Sequence, residues 1–201
     1  MVHWENVEHI LEYGLCCRGH ANADPDYINI GHTQLIADRH VHPIPIAGAG
    51  NLGEYVPFYF AGHSPMLYLI MNGYSGVHQR KQEDIVYMIS SVDRVEQEGL
   101  EFVFSDRNAK LKFAQFYSDI DDFENLDWDI ILAKMWRNTD QKPDKQDLKQ
   151  AEFLIRNEMP VTCIEQIVVK TTARKTQIEA MIAQHRLQIP VVVDDKLELY
   201  Y

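Results

Sequence analysis

Long apolar runs are missing from this 201-residue chain. No stretch approaches the roughly 18 uninterrupted apolar residues that a membrane-spanning helix needs. The opening residues, Met1-Val-His-Trp-Glu-Asn6, hold neither the basic nor the apolar region of a secretory leader, so a soluble cytoplasmic protein with no membrane contact is expected. Cysteine is scarce: Cys16, Cys17 and Cys163 are odd in number and two are adjacent, which gives no disulfide framework and fits a reducing compartment. Cations are outnumbered, with 19 Lys and Arg against 30 Asp and Glu for a net charge of -11. That balance argues against broad duplex binding, because phosphates are neutralised by clustered Lys and Arg. There is no internal repeat, no domain linker and no dinucleotide fingerprint. Gly48-Ala-Gly50-Asn-Leu-Gly53 has the glycine spacing but lacks the strand before and the helix after.

What is there suffices for one folded domain over residues 1–201, since 46% of the residues are hydrophobic. Three short basic islands stand in the acidic chain: His78-Gln-Arg80-Lys81, Arg107 with Lys110 and Lys112, and Lys170 with Arg174 and Lys175. Single strands held largely by base stacking need fewer charges than a wrapped duplex.

The first helix is expected after an Asn6 cap, with Val7, Ile10 and Leu11 on one face and Gly14 past its end. Residues 16–53 are loop-rich, with a short helix near 35–39, and a loop of that length inside a domain is usually functional. Tyr55 to Phe60 reads as a strand placed at an edge by Pro57. Ser64 then caps a helix begun by Pro65 and stopped at Asn72-Gly73. Strands are expected at 84–91 and 100–104 around a helix at 92–98, and helical structure from Leu111 to about Asn125. A helix capped by Asp127 is expected to carry Trp128, Ile131, Leu132 and Trp136, followed by a solvated loop over 137–149. Strands at 151–155 and 164–170, a helix at 172–186 and a last strand from Pro190 complete the chain. Strands that do not alternate regularly with helices indicate an α+β fold.

Alternation in Ala151-Glu-Phe-Leu-Ile155 puts Glu152 with Leu154 on one face and Phe153 with Ile155 on the other. Taken alone, a single strand carboxylate is ordinarily a solvated residue, and a lone loop arginine such as Arg39 an ordinary surface one. Cys16, Cys17, His20, His32, His40 and His42 lie close in sequence, but no spacing matches a strong zinc pattern, and no metal is expected. Neither Cys16 nor Cys163 sits in a recognisable nucleophile signature.

The string Tyr55-Val-Pro-Phe-Tyr-Phe-Ala-Gly-His-Ser-Pro-Met-Leu-Tyr68 resembles the signature of the DarT family of DNA ADP-ribosyltransferase toxins. His3-Trp-Glu-Asn6, Ile10-Leu11, Gly14-Leu15, Arg39, Phe102-Val-Phe104, Asp106-Arg107, Leu126-Asp127-Trp128, Gln150-Ala-Glu152-Phe-Leu154 and Tyr200-Tyr201 extend the resemblance in order over nearly the whole chain. It implies a single-domain ADP-ribosyltransferase-like fold with central mixed and antiparallel sheets flanked by helices. The implied reaction transfers ADP-ribose from NAD to a base of single-stranded DNA, thymidine foremost, within a short sequence motif. The implied partner is a macrodomain antitoxin of the DarG type.

The same resemblance makes Glu152 the catalytic carboxylate, which would stabilise positive charge on the ribose and serve as base. It puts Arg39 at the NAD site, where a guanidinium offers bidentate contact to pyrophosphate. Residues 22–41 correspond to an NAD-binding loop element and 108–152 to an ADP-ribosylating loop region. Arg107, Asn108, Tyr59 and Tyr68 become candidate DNA or pocket contacts, with core packing the plainer reading of both tyrosines. His63 takes a place often held by Arg, which makes a phosphate contact there pH-sensitive. In the family a Tyr-His-x-Thr-His-like run precedes the helix. Here His3 matches the second His, Val2 the Thr position, and the earlier His would fall before Met1. A chain start set too late and an NAD site without that side chain are the two readings of this departure. Backbone contacts to the nicotinamide end are then implied for Met1 and Val2, and cofactor-proximal positions for His9 and Cys17. Against the enzyme stand a catalytically weak nucleotide- or DNA-binding module, and transfer to guanine or to protein.

Overall fold

The computed structural model describes residues 1–201. Its elements in chain order are β1 (Val2–His3), α1 (Val7–Tyr13), β2 (Leu15–Cys16), α2 (Thr33–His40), β3 (Tyr55–Tyr59), α3 (Pro65–Asn72), β4 (Ile85–Ile89), α4 (Val92–Gln97) and β5 (Phe102–Ser105). There follow β6 (Phe116–Tyr117), α5 (Trp128–Leu132), α6 (Lys145–Leu148), β7 (Glu152–Arg156), β8 (Glu158–Met159), β9 (Gln166–Val169), α7 (Thr172–Gln184) and β10 (Val191–Val193). They form two four-stranded sheets, β1-β4-β9-β10 and β3-β7-β5-β6, with a β2-β8 ribbon. All pairs are antiparallel except β9 with β10, which α7 joins in parallel. The α+β class with mixed sheets is the observed one, and no helix is long and apolar enough to cross a membrane.

Alternation along the strands builds three apolar clusters. Phe153 and Ile155 of β7, Val86 and Met88 of β4, and Ile167 and Val169 of β9 enter the main core of 24 buried residues. The opposite sides of β4 and β9, through Ile85, Tyr87 and Val168, pack on Leu67 and Ile70 of α3 and on Tyr200. Leu154 and Val103, on the opposite face of the second sheet, join Ile44, Leu52, Tyr55 and Ala109. β7 is therefore covered on both faces, and a charged residue in it must find internal partners.

Ser64 caps α3 by accepting from the Leu67 N–H, Pro65 opens the helix, and Gly73 closes it with φ of 67°. β3 is an edge strand, and Pro57 in it is exposed, as a residue without an N–H requires.

Four expectations are corrected. The Asn6 side chain makes no cap bond to α1. It clamps the loop instead, donating to Ile28 O at 3.0 Å and accepting from Ile28 N at 2.9 Å. Residues 111–125 form turns, β6 and a 3-10 segment at Ile120–Asn125 rather than a long helix. Pairing with β5 and the stacking of Tyr117 on Phe104 outweigh the helical spacing of the apolar residues. α5 ends at Leu132, and Trp136 lies beyond it, bonded to Tyr201 Oη at 2.7 Å. The 137–149 segment is not wholly solvated: it contains α6, and Lys149 is 3% exposed, donating to Ile131 O at 2.6 Å.

Candidate active site

Glu152 is the first residue of β7, directly across from Tyr59 of β3. Cross-strand partners share a face, so both point away from the main core. Only 3% of Glu152 is exposed, and its carboxylate is fully engaged. Arg39 donates from Nη1 to Oε1 at 2.9 Å and from Nη2 to Oε2 at 2.7 Å, and the Ala109 N–H donates to Oε1 at 3.1 Å. Behind it, the Glu152 N–H donates to Ser105 Oγ at 3.3 Å, and that hydroxyl donates to Arg107 O at 2.6 Å. The solvated-surface reading of both charged residues is thereby excluded.

Arg39 arrives from the last turn of α2, 113 residues away in sequence. Burial works against its charge, but Glu152's charge and hydrogen bonds more than offset this and hold its pKa above the ordinary arginine value. Tyr59 donates to Met66 Sδ at 3.8 Å. Burial first, and then the negative charge of Glu152, push its phenol far above the usual range, so it stays protonated. A fork-shaped cation, a fixed carboxylate and a protonated phenol converge here on one face of the sheet.

The remaining sequence-designated residues are dispersed around this centre. Met1 lines a cavity of about 450 Å³ together with Tyr59, Tyr87, Ser90, Phe153 and Leu199. Ser90 Oγ, on a residue of its wall, is buried without a hydrogen-bond partner. Val2 is buried and paired with Val86. His9 Nε2 lies 2.8 Å from Asn22 O, at the start of the 22–41 loop. Cys17 is in the main core, with its N–H donating to Asn157 O at 2.7 Å.

Arg107 is held by Asp106 at 3.0 Å and Asp144 at 3.6 Å, while Asn108 donates to Gln150 at 3.2 Å. Tyr68 is no core residue. It stands at the surface in a cluster of edge-on and tilted rings with Tyr74, Trp136 and Tyr201. His63 is buried against Tyr201 with φ of 51°. Burial, together with Lys134 and Lys149, lowers its pKa, so at neutral pH it carries no charge for a phosphate.

Cys16, His20 and Glu158 form one cluster with metal-ligating atoms within 4.8 Å of one another. The Asn22 N–H donates to His20 Nδ1 at 3.2 Å. A neutral ring then keeps its proton on Nε2, the nitrogen facing Glu158 at 3.6 Å, where a metal would need a lone pair.

Nothing in the sequence singled out Ala109, Ser105 or Asp38, and Lys110 was marked only as part of a basic island, yet all four adjoin this centre. A backbone N–H has no sequence signature, and the contact of Lys110 with Asp38 of α2 spans 72 residues.

The family model for "ssDNA thymidine ADP-ribosyltransferase, DarT" matches residues 1–201. A protein of Escherichia coli O127:H6 named DNA ADP-ribosyl transferase is 34% identical over 191 residues, 95% of this chain and 88% of that protein. Thermus sp. 2.9 DarT, solved in complex with ADP-ribosylated ssDNA, superposes with a TM-score of 0.89 at 31% identity, over 100% of this chain and 93% of that one. The same Thermus protein in complex with NAD+ gives 0.83 at 30% identity, over 100% and 94%.

Proposed function

The chain belongs to the DarT family of single-stranded-DNA thymidine ADP-ribosyltransferases, and from that premise we propose that it transfers ADP-ribose from NAD onto thymidine in single-stranded DNA, with release of nicotinamide. The observation that carries this reading is the bidentate Arg39–Glu152 pair, buried on the sheet face opposite the core and completed by the Ala109 N–H. Tyr59, across the strands from Glu152, also lines the cavity that Met1 borders.

In the reaction, the bond between the nicotinamide nitrogen and the ribose breaks, and its electron pair leaves with nicotinamide. Positive charge grows on the ribose, where the fixed carboxylate of Glu152 stabilises it without reorganising. The thymine ring nitrogen forms the new bond to that carbon and gives up its proton, for which Glu152 is the acceptor in reach. Arg39, released from Glu152, offers its fork to the pyrophosphate. Residues 22–41 form the cofactor element and 108–152 the substrate element. Toxin action, a short recognised DNA motif and a DarG-type macrodomain antitoxin complete the proposal on the strength of the family resemblance.

The test is mass spectrometry of thymidine-containing single-stranded oligonucleotides incubated with NAD and the protein. A gain of one ADP-ribose that disappears in Glu152→Ala is expected. Intact oligonucleotides of varied sequence alongside intact NAD would favour the binding-module reading.

A further inference from the structure

α2 has no buried residue. An eight-residue helix is too short to persist on its own in water, and helices in proteins draw most of their stability from a packed face, which here amounts to little more than the half-buried Ile36. Its first turn is capped by His32, whose Nδ1 accepts from Leu35 N at 3.2 Å, and its end closes against Gly53, where a Cβ would meet His40 at 2.5–2.7 Å. Neither contact aims the outer face of the helix. That face is fixed by two consecutive side chains. Arg39 meets Glu152, while Asp38 meets the Lys110 ammonium and accepts from Gln34 Nε2 at 2.9 Å.

The receiving side is also consecutive. Ala109 donates its N–H to the Glu152 carboxylate that Arg39 grips, and Lys110 is the next residue. This loop is itself anchored. Asn108 donates its N–H to Asp147 O at 3.0 Å and its side-chain amide to Gln150, and accepts from the Lys110 N–H at 3.1 Å. The Lys110 ammonium thus stands on a rigid base, and the Asp38 carboxyl is held below the usual carboxylate range chiefly by its hydrogen bond to Lys110.

Building on the function proposed above, we propose that Lys110 is a positioning residue, whose ion pair with Asp38 sets the orientation of α2 that delivers Arg39 to Glu152, tying the cofactor segment to the substrate loop. The pair is half exposed and worth little on a packed helix. On a helix with so little packed surface, such a contact decides the position. The ion pair persists when Arg39 turns from Glu152 to the pyrophosphate, and without it NAD must order α2 as it binds, so the effect falls on NAD capture rather than on the chemical step.

Lys110→Ala, Asp38→Ala and the exchanged pair Asp38→Lys with Lys110→Asp test this in the full chain. In the NAD-free protein, backbone hydrogen exchange over Thr33–His40 is expected to run about fivefold faster in each single variant and to return toward the wild-type rate in the exchanged pair. Steady-state kinetics on single-stranded DNA should show the KM for NAD raised about fivefold with kcat within about twofold, again restored by the exchange. Unchanged exchange over α2 in the single variants overturns the proposal, and so does an exchanged pair no better than either single. If the wild type transfers no ADP-ribose, the transferase reading fails while the hydrogen-exchange result still decides the role of Lys110.

Discussion

Lys149 shows at the scale of one residue what the fold pays for its site. Three residues before Glu152, its ammonium is buried with a single partner, Ile131 O, and desolvation lowers its pKa from 10.5 to about 8. Because the folded pKa lies below the unfolded one, the unfolded chain binds more protons between about pH 8 and pH 10.5, and stability rises with pH through that window. Below about pH 8 the cost is fully present, on the order of 3 kcal/mol. Urea midpoints of Lys149→Met and wild type, measured at pH 7 and pH 10, should converge at the higher pH as the cost leaves the wild type. Parallel pH dependence in the two proteins would refute the assignment. Sequence alone places this residue in a solvated loop, because polarity read along 137–149 does not register that α6 folds back and buries its last neighbour. Glu152 and Arg39 carry no such local signal either. Only their family context singled them out, and their hydrogen bonds account for their burial.

Elements were legible where caps and turns are chemically demanding. Ser64-Pro65 opening α3 and Gly73 ending it follow from one hydroxyl, one missing N–H and one left-handed backbone position. Gly14 ends α1 on similar grounds: its φ is 79°, and a Cβ there would lie 2.5 Å from Met159 O. Gly14→Ala is expected to cost about 1–3 kcal/mol, read as a lowered urea midpoint with an unchanged m-value. A midpoint equal to wild type would show that the α1–β8 junction can relax. Residues 111–125 were misread for the converse reason. Phe113, Phe116, Tyr117 and Phe123 recur at helical spacing, yet Phe113 is 75% exposed while Phe123 and Tyr117 pack on Phe104. Cross-strand and aromatic contacts won over local periodicity there.

For the molecule as a whole, a net charge of -11 sets the style of DNA binding. Arg107 is held by Asp106 and Asp144, Lys142 by Asp127 and Arg174 by Asp84, which draws these three cations away from phosphates. The surface rings Tyr68, Tyr74 and Trp136 offer stacking faces that need none. Binding of a thymidine-containing single strand is therefore expected to weaken only gently with salt, with log K against log salt no steeper than about -2, equivalent to two or three phosphate contacts. A slope near -5 would mean that a cationic track, and not stacking, holds the strand.

By itself the sequence determined the α+β class, most element boundaries with strong caps and the edge placement of β3. Each of these follows from local stereochemistry or from a motif contiguous in the chain. Tertiary structure alone decided that Arg39 and Glu152 meet, that Ala109 supplies the third hydrogen bond, that Asn6 clamps Ile28, and that Lys110 reaches Asp38. These contacts join residues 22 to 113 positions apart. Their partners are set by which faces the sheets and loops bring together, a three-dimensional outcome that no window of sequence contains.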